Sequence, residues 1–254
     1  MKLKLIAGLL LLVWGLSKSG WEAGIDKERR LIVHGQDVPL DVNTRDLLGQ
    51  ELSLALLGGF RGMAATSAWM SLTGAWENKE WTRVKAMADL ATTIQPKMVL
   101  FWEHGAWHLA WNASIDMETY SRQANQSRAE IEARLWIEEG RDMLLRGLQV
   151  HPNKAALYLR LADIYWQRLG DYETAADYYL QASQKEGAPA YAERFVGIAL
   201  EKAGKNQEAY DYFCQLWEQV KTEPKSSQPP WQNVKRIMME LEEKLQVPEG
   251  ERVF

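Results

Sequence analysis

A pattern of small and aromatic residues recurs along the second half of this 254-residue chain, and it limits the fold more than any other feature. From Lys154 to Gly187 it reads Tyr158, Leu161-Ala162, Tyr165, then Gly170-Asp171-Tyr172, Ala175, Tyr179 and Ala182. A second copy reads Val196-Gly197, Leu200, Gly204-Lys205-Asn206, Ala209 and Phe213, its glycine thirty-four residues after Gly170. A period of that length with a central glycine predicts two helices joined by a tight turn. One such pair cannot bury its apolar face alone, so successive pairs must stack. The small residues let the helices approach, and the large rings fill the space beside them. The first copy carries one extra residue, expected in the turn before Gly170. In the second, Leu216 replaces the last small residue and Glu193 stands where an aromatic is expected.

These residues resemble the tetratricopeptide repeat (TPR), a helix–turn–helix of about 34 residues. The resemblance implies an all-α, TPR-like helical-hairpin solenoid. Upstream the pattern is degenerate but readable. Pro96 and Pro152 each close a helix, and counting back from Pro96 puts Leu72, Ala88 and Ala91 on the repeat's eighth, twenty-fourth and twenty-seventh positions. Trp102 and Ala106 take the fourth and eighth positions of the next unit, whose second helix, Ala133 to Val150, follows a polar insertion near 114–132. That insertion is expected to lengthen a helix or project from the stack. About four helical pairs result.

Residues 222–230 read as a linker, and Trp231 to Gln246 as an amphipathic capping helix with Val234, Ile237, Met238, Leu241 and Leu245 on one face. Gln246 to Phe254 is expected to fray. The expected organisation is a signal peptide or membrane anchor over 1–20, a linker over 21–50, a repeat domain over 51–221, and a linker, capping helix and tail over 222–254.

Lys2 and Lys4 precede an uncharged run, Leu5 to Leu16, and Lys18 follows it. A basic start followed by 7–15 apolar residues is the pattern of an export signal. Counting from Leu3 to Trp21 gives nineteen residues, close to the roughly 20 of a spanning helix with lysines snorkelling at its edges. Signal and retained anchor both remain open. Either places the body outside a bacterial inner membrane, or free in the periplasm after cleavage. A second uncharged stretch, Leu52 to Trp76, is interrupted only by Arg61 and holds Gly58, Gly59, Gly62 and Gly74. It is long enough to span a membrane, but its glycines and Arg61 favour a buried helical hairpin or close-packed helix, with Arg61 as a cap or in a buried ion pair. Residues 40–115, with LLGGFRG, IQP and AWHLAWNAS, are similar to bacterial membrane-anchored TPR-like proteins. That similarity implies an envelope protein and carries no activity.

The formal net charge of −4 offers no basic field for nucleic acid, and removing the three N-terminal lysines takes it from −4 to −7. One cysteine, Cys214, excludes an intramolecular disulfide, a CxxC pair and a cysteine-rich zinc site. His104 and His108 stand four apart on one expected helix, but no glutamate lies between them as a general base, and no third ligand is indicated. No serine elbow, paired-carboxylate motif or phosphate loop appears. The expected function is therefore non-catalytic, without cofactor or metal: a membrane-anchored scaffold that binds another envelope or membrane protein or a peptide segment. A small-ligand or metal site, with an associated activity, in the Trp- and His-rich region 69–111 is the alternative.

The resemblance also implies where a partner lies. In TPR proteins positions two, five, nine, twelve and thirteen of each first helix line the concave face. Carried over, these give Leu100, Glu103, Trp107, Ala110 and Trp111, then Ala156, Leu159, Asp163, Trp166 and Gln167, then Tyr191, Arg194, Ile198, Glu201 and Lys202, of which Glu103, Trp107, Trp111, Asp163, Trp166, Gln167, Arg194 and Lys202 are the candidate contacts. Twelve tryptophans, six of them between Trp69 and Trp111, supply either core or partner anchors.

Overall fold

The structure is a computed structural model that describes residues 60–121, 126–224 and 228–254. The expected anchor, the 21–50 linker, Gly58 and Gly59 lie outside the described residues. Among those described the chain is all-helical, apart from a bridge between Lys154 and Glu186 that ties the loop before one helix pair to the loop after it.

Helix α1 (Arg61–Glu77) buries Ala64, Ala65, Ala68, Leu72 and Ala75. This stripe of small side chains brings it close against α2 (Trp81–Ile94), which answers with Val84, Ala88 and Ala91. Arg61 is exposed in the first turn of α1, so the expected buried ion pair does not form there. No helix among the described residues is long and apolar enough to cross a membrane. The turn after α1 is fastened to the next pair by Asp116, which accepts from Lys79 Nζ and Trp81 Nε1, each at 2.7 Å.

Helix α3 runs as Val99–Trp107, a π-helical turn His108–Ala113, and a last α segment Ser114–Ser121. Helix α4 (Gln126–Val150) packs along its whole length. Residues 114–121 and 126–132 of the polar stretch therefore extend both helices of this pair. Helix α5 consists of Ala155–Asp163 and a second π-helical turn, Ile164–Leu169. It pairs with α6 (Tyr172–Ser183), and α7 (Tyr191–Lys202) pairs with α8 (Asn206–Val220).

Two features repeat between pairs. Trp102 Nε1 donates to the Pro96 carbonyl at 2.8 Å, and Tyr158 OH donates to the Pro152 carbonyl at 2.9 Å, so each aromatic clasps the proline six residues before it. Gly170 and Gly204 close their turns at φ of 67° and 79°, a left-handed conformation that a side chain disfavours. Asp171 then caps α6 by accepting from the Thr174 N–H at 3.0 Å.

The extra residue before Gly170 is not in the turn. The chain stays helical through Leu169 and takes it up as the π turn, where one residue is added within an α-helix.

Helix α9 (Pro229–Lys244) buries Trp231, Val234, Ile237, Met238 and Leu241 against Tyr210, Phe213, Leu216 and Val220 of α8. The residues after α9 are docked rather than frayed. Phe254 packs edge-on against Trp217 at 5.1 Å between ring centroids, and Glu242, only 2 % exposed, accepts from the Val253 N–H at 2.7 Å and Tyr210 OH at 3.0 Å. A buried carboxylate needs such partners, and these two come from different parts of the chain.

Candidate functional site

The first helices of three successive pairs, α3, α5 and α7, bring their polar and aromatic residues together. On α3 the spacing of Glu103, His104 and Trp107 puts all three on one side. On α5, Arg160 and Asp163 stand one turn apart. Arg160 Nε donates to Glu103 Oε1 at 2.9 Å across the two helices, and its Nη1 reaches Asp163 Oδ2 at 3.4 Å. Tyr179 OH, from α6, donates to the other oxygen of Asp163 at 2.8 Å.

These pairs are partly solvated, with Arg160 42 % and Glu103 20 % exposed as side chains. Their net worth is within about 1 kcal/mol, so they orient side chains more than they stabilise the fold. Burial pushes the Asp163 carboxyl above the ordinary carboxylate range; Tyr179 and Arg160 pull it back, and Glu103 adds to the rise. The Tyr191 phenol, at the start of α7, is likewise pushed up, first by burial and then by Asp163, with Arg160 opposing. Glu103 adds a smaller push in the same direction as Asp163. Between α3 and α5 a cavity of about 190 Å³ is lined by Glu103, His104, Trp107 and Arg160.

Behind it lies an aromatic nest. Trp69 stacks on Phe101 at 5.0 Å, and Trp76 and Trp107 approach the His108 ring at 5.5 and 5.2 Å. His108 is 9 % exposed, and Asn112 Nδ2 donates to its Nδ1 at 3.0 Å. Burial, with the like charge of His104 second, lowers the His108 pKa to about 4. The two histidines thus have separate surroundings: His104 is exposed at the cavity and His108 is enclosed and neutral. Among the described residues no three His, Cys, Asp or Glu side chains gather as metal ligands.

Of the residues implied by the repeat, the structure brings Glu103, Trp107 and Asp163 into one cluster, with Leu100 and Tyr191 exposed as well. Trp111 is half-buried against the core shared by α1 to α5, and Ala110 and Leu159, implied on the same face, are buried. Trp166 is wedged among Tyr172, Tyr179 and Phe195 at centroid distances of 5.3, 6.3 and 5.9 Å, which makes it a packing residue. Gln167 and Lys202 are exposed. Arg194 turns toward α9, its guanidinium 5.4 Å from the Trp231 ring, and donates to the Ala190 carbonyl. The π turn in α5 explains part of this. An added residue rotates everything after it by roughly 100°, so a phase counted along regular α-helix fails beyond Ile164.

Arg160, which joins the two carboxylates, falls at none of the positions that the repeat assigns to the face. Its signal in the sequence was a basic residue on the helix after the one bearing Glu103, legible only once the helices are paired. Cys214 is half-buried, and burial raises its thiol pKa, which makes it a weak nucleophile. Compared with known proteins, the chain matches no family model, and no curated protein matches it significantly.

Proposed function

We propose that this protein is a TPR-like, non-catalytic scaffold that holds a segment of another protein along the face shared by α3, α5 and α7. The observation that carries this reading is the exposure of Leu100, Trp107 and Tyr191 around the Glu103–Arg160–Asp163 network. Large apolar side chains at 47 %, 40 % and 42 % exposure, set beside oriented charged groups on rigid helices, are suited to anchoring a partner at low ordering cost. The repeated proline clasps and the recurring small-against-aromatic packing support the repeat assignment. The cavity of about 190 Å³ favours a single side chain over a small molecule, whose pockets run to about 300–1,000 Å³.

The envelope location rests on the sequence: the basic start and the apolar run Leu5 to Leu16 put the helical body outside the inner membrane, attached by one N-terminal helix or released to the periplasm. The partner is then an envelope or membrane protein, and the acidic body disfavours nucleic acid.

The test uses full-length protein with a photo-crosslinking residue at Leu100 or, as control, at the exposed Glu240 of α9, in native membranes. One partner is expected from Leu100 and none from Glu240. The same partner should be lost when Trp107→Ala and Tyr191→Ala are added to a chain of unchanged helicity. Equal crosslinking from both positions would reject this face.

A further inference from the structure

The first and last described helices differ in what they show to solvent. At the C-terminal end α9 turns Gln232, Asn233, Arg236, Glu240 and Glu243 outward, the polar outer face that a terminal helix of a stacked array needs. Helix α1 has no such face. Its inner side is taken up by α2 and by the stacking of Trp69 on Phe101 of α3. Among the described residues nothing covers its outer side: Met63 and Met70 are 67 % and 70 % exposed, with Thr66, Ser67 and Thr73 exposed beside them. No charged residue stands anywhere from residue 62 to residue 76, so this face is uncharged over about four turns.

The chain immediately before α1 has the composition to cover it. Residues 47–57 (LLGQELSLALL) hold a single charge, Glu51. Leu48, Leu52, Ala55 and Leu56 recur at helical spacing and would share one face of a helix. On such a helix Leu48 and Leu56 lie about 12 Å apart, against about 10 Å between Met63 and Met70 on α1. Only Gly58, Gly59 and Phe60 separate this run from α1, a connection of the length that joins two antiparallel helices side by side.

We propose that residues 47–57 fold back as a helix on the outer side of α1, with Leu56 beside Met63 and Leu48 beside Met70, and close this end of the stack as α9 closes the other. The occupant is the chain's own segment because three residues tie it to the face, which gives it an effective concentration that a second copy or a separate protein lacks. None of the residues of the α3–α5–α7 face takes part, so this inference and the scaffold reading stand or fall separately.

The experiment places a diazirine-bearing residue at position 70 of the full-length protein, and in a second sample at the exposed Met239 on α9, and maps the photoproducts by mass spectrometry. Unlabelled and 15N-labelled chains are mixed beforehand, so that crosslinks within one chain and between two chains differ in mass. The probe at position 70 is expected to join residues 47–57 of its own chain, and the probe at Met239 to join none of them. Crosslinks from position 70 to a second copy, adducts with lipid, or products of solvent alone would each overturn the inference. Hydrogen exchange on Met70→Glu provides a check without the probe. Amides of residues 47–57 should exchange at least about tenfold faster than in the wild type, while those of α5 to α8 keep their rates. Equal exchange of residues 47–57 in the two proteins overturns the inference as well.

Discussion

Gly197 on α7 lies flat against the ring of Phe213 on α8: a Cβ at Gly197 would come 2.5 Å from Phe213 Cε1 and 2.7 Å from Cε2. The contact joins the small residue of one helix to the aromatic of the next, the pairing that the repeat was read from. Phe213 is fully buried and has no room to retreat. Gly197→Ala is expected to destabilise the fold by about 1–3 kcal/mol despite its better helix propensity. Gly74→Ala is the control, since nothing lies within 4 Å of a Cβ there. It should stabilise by roughly 0.5–1 kcal/mol. Urea midpoints of the two variants should move in opposite directions.

His108 makes stability depend on pH. Its folded pKa of about 4 lies below the ordinary 6.5, so the unfolded chain binds its proton first as pH falls. The stabilisation is complete above about pH 6.5 and is lost progressively down to about pH 4, with an upper bound on the order of 3 kcal/mol. Between pH 7 and pH 5 the denaturation midpoint of the wild type should therefore fall more steeply than that of His108→Gln. Parallel slopes would show that the ring is not held neutral.

Trp107 and Trp166 should separate cleanly. Trp107→Ala removes an exposed ring and should shift stability by no more than about 1 kcal/mol while weakening partner capture. Trp166→Ala opens a hole among Tyr172, Tyr179 and Phe195 and should lose about 3 kcal/mol. Thermal denaturation and crosslinking on the same two variants check both halves.

Glu242 holds the chain's last residues down. Glu242→Ala leaves the Tyr210 hydroxyl and the Val253 N–H without their acceptor and should cost about 2–3 kcal/mol. Glu242→Gln keeps a carbonyl oxygen and should cost less. Hydrogen exchange at Val253 should accelerate in the first variant and stay near wild type in the second.

Much of this architecture was legible beforehand because it rests on local chemistry. Gly170 and Gly204 mark turns through their backbone conformation, and Leu72, Ala106 and Ala162 are buried as their spacing requires. Trp231 to Leu241 reads as an amphipathic helix because one face repeats every three or four residues. What was not legible depends on contacts between distant segments. Val247 to Phe254 looks free until Trp217, Tyr210 and Glu242 are placed beside it. Arg160 becomes a site residue only when α5 packs next to Glu103, fifty-seven residues earlier. The packing of Trp166 among Tyr172, Tyr179 and Phe195 is visible only once α5, α6 and α7 are placed together.

The two π turns, in α3 and α5, touch each other, and Arg168 from the second spans the gap to the Ala110 carbonyl at 3.1 Å and to Ser114 and Glu118 beyond it. Single-residue insertions are usually stored in loops, where they leave the helices untouched. Here the surplus is carried inside the helices, and the hairpin turns keep their length. Descendants of such a gene could gain or lose one codon at these points and present different side chains to a partner while every turn and its glycine stayed as they were. Specificity and scaffold would then evolve on separate tracks.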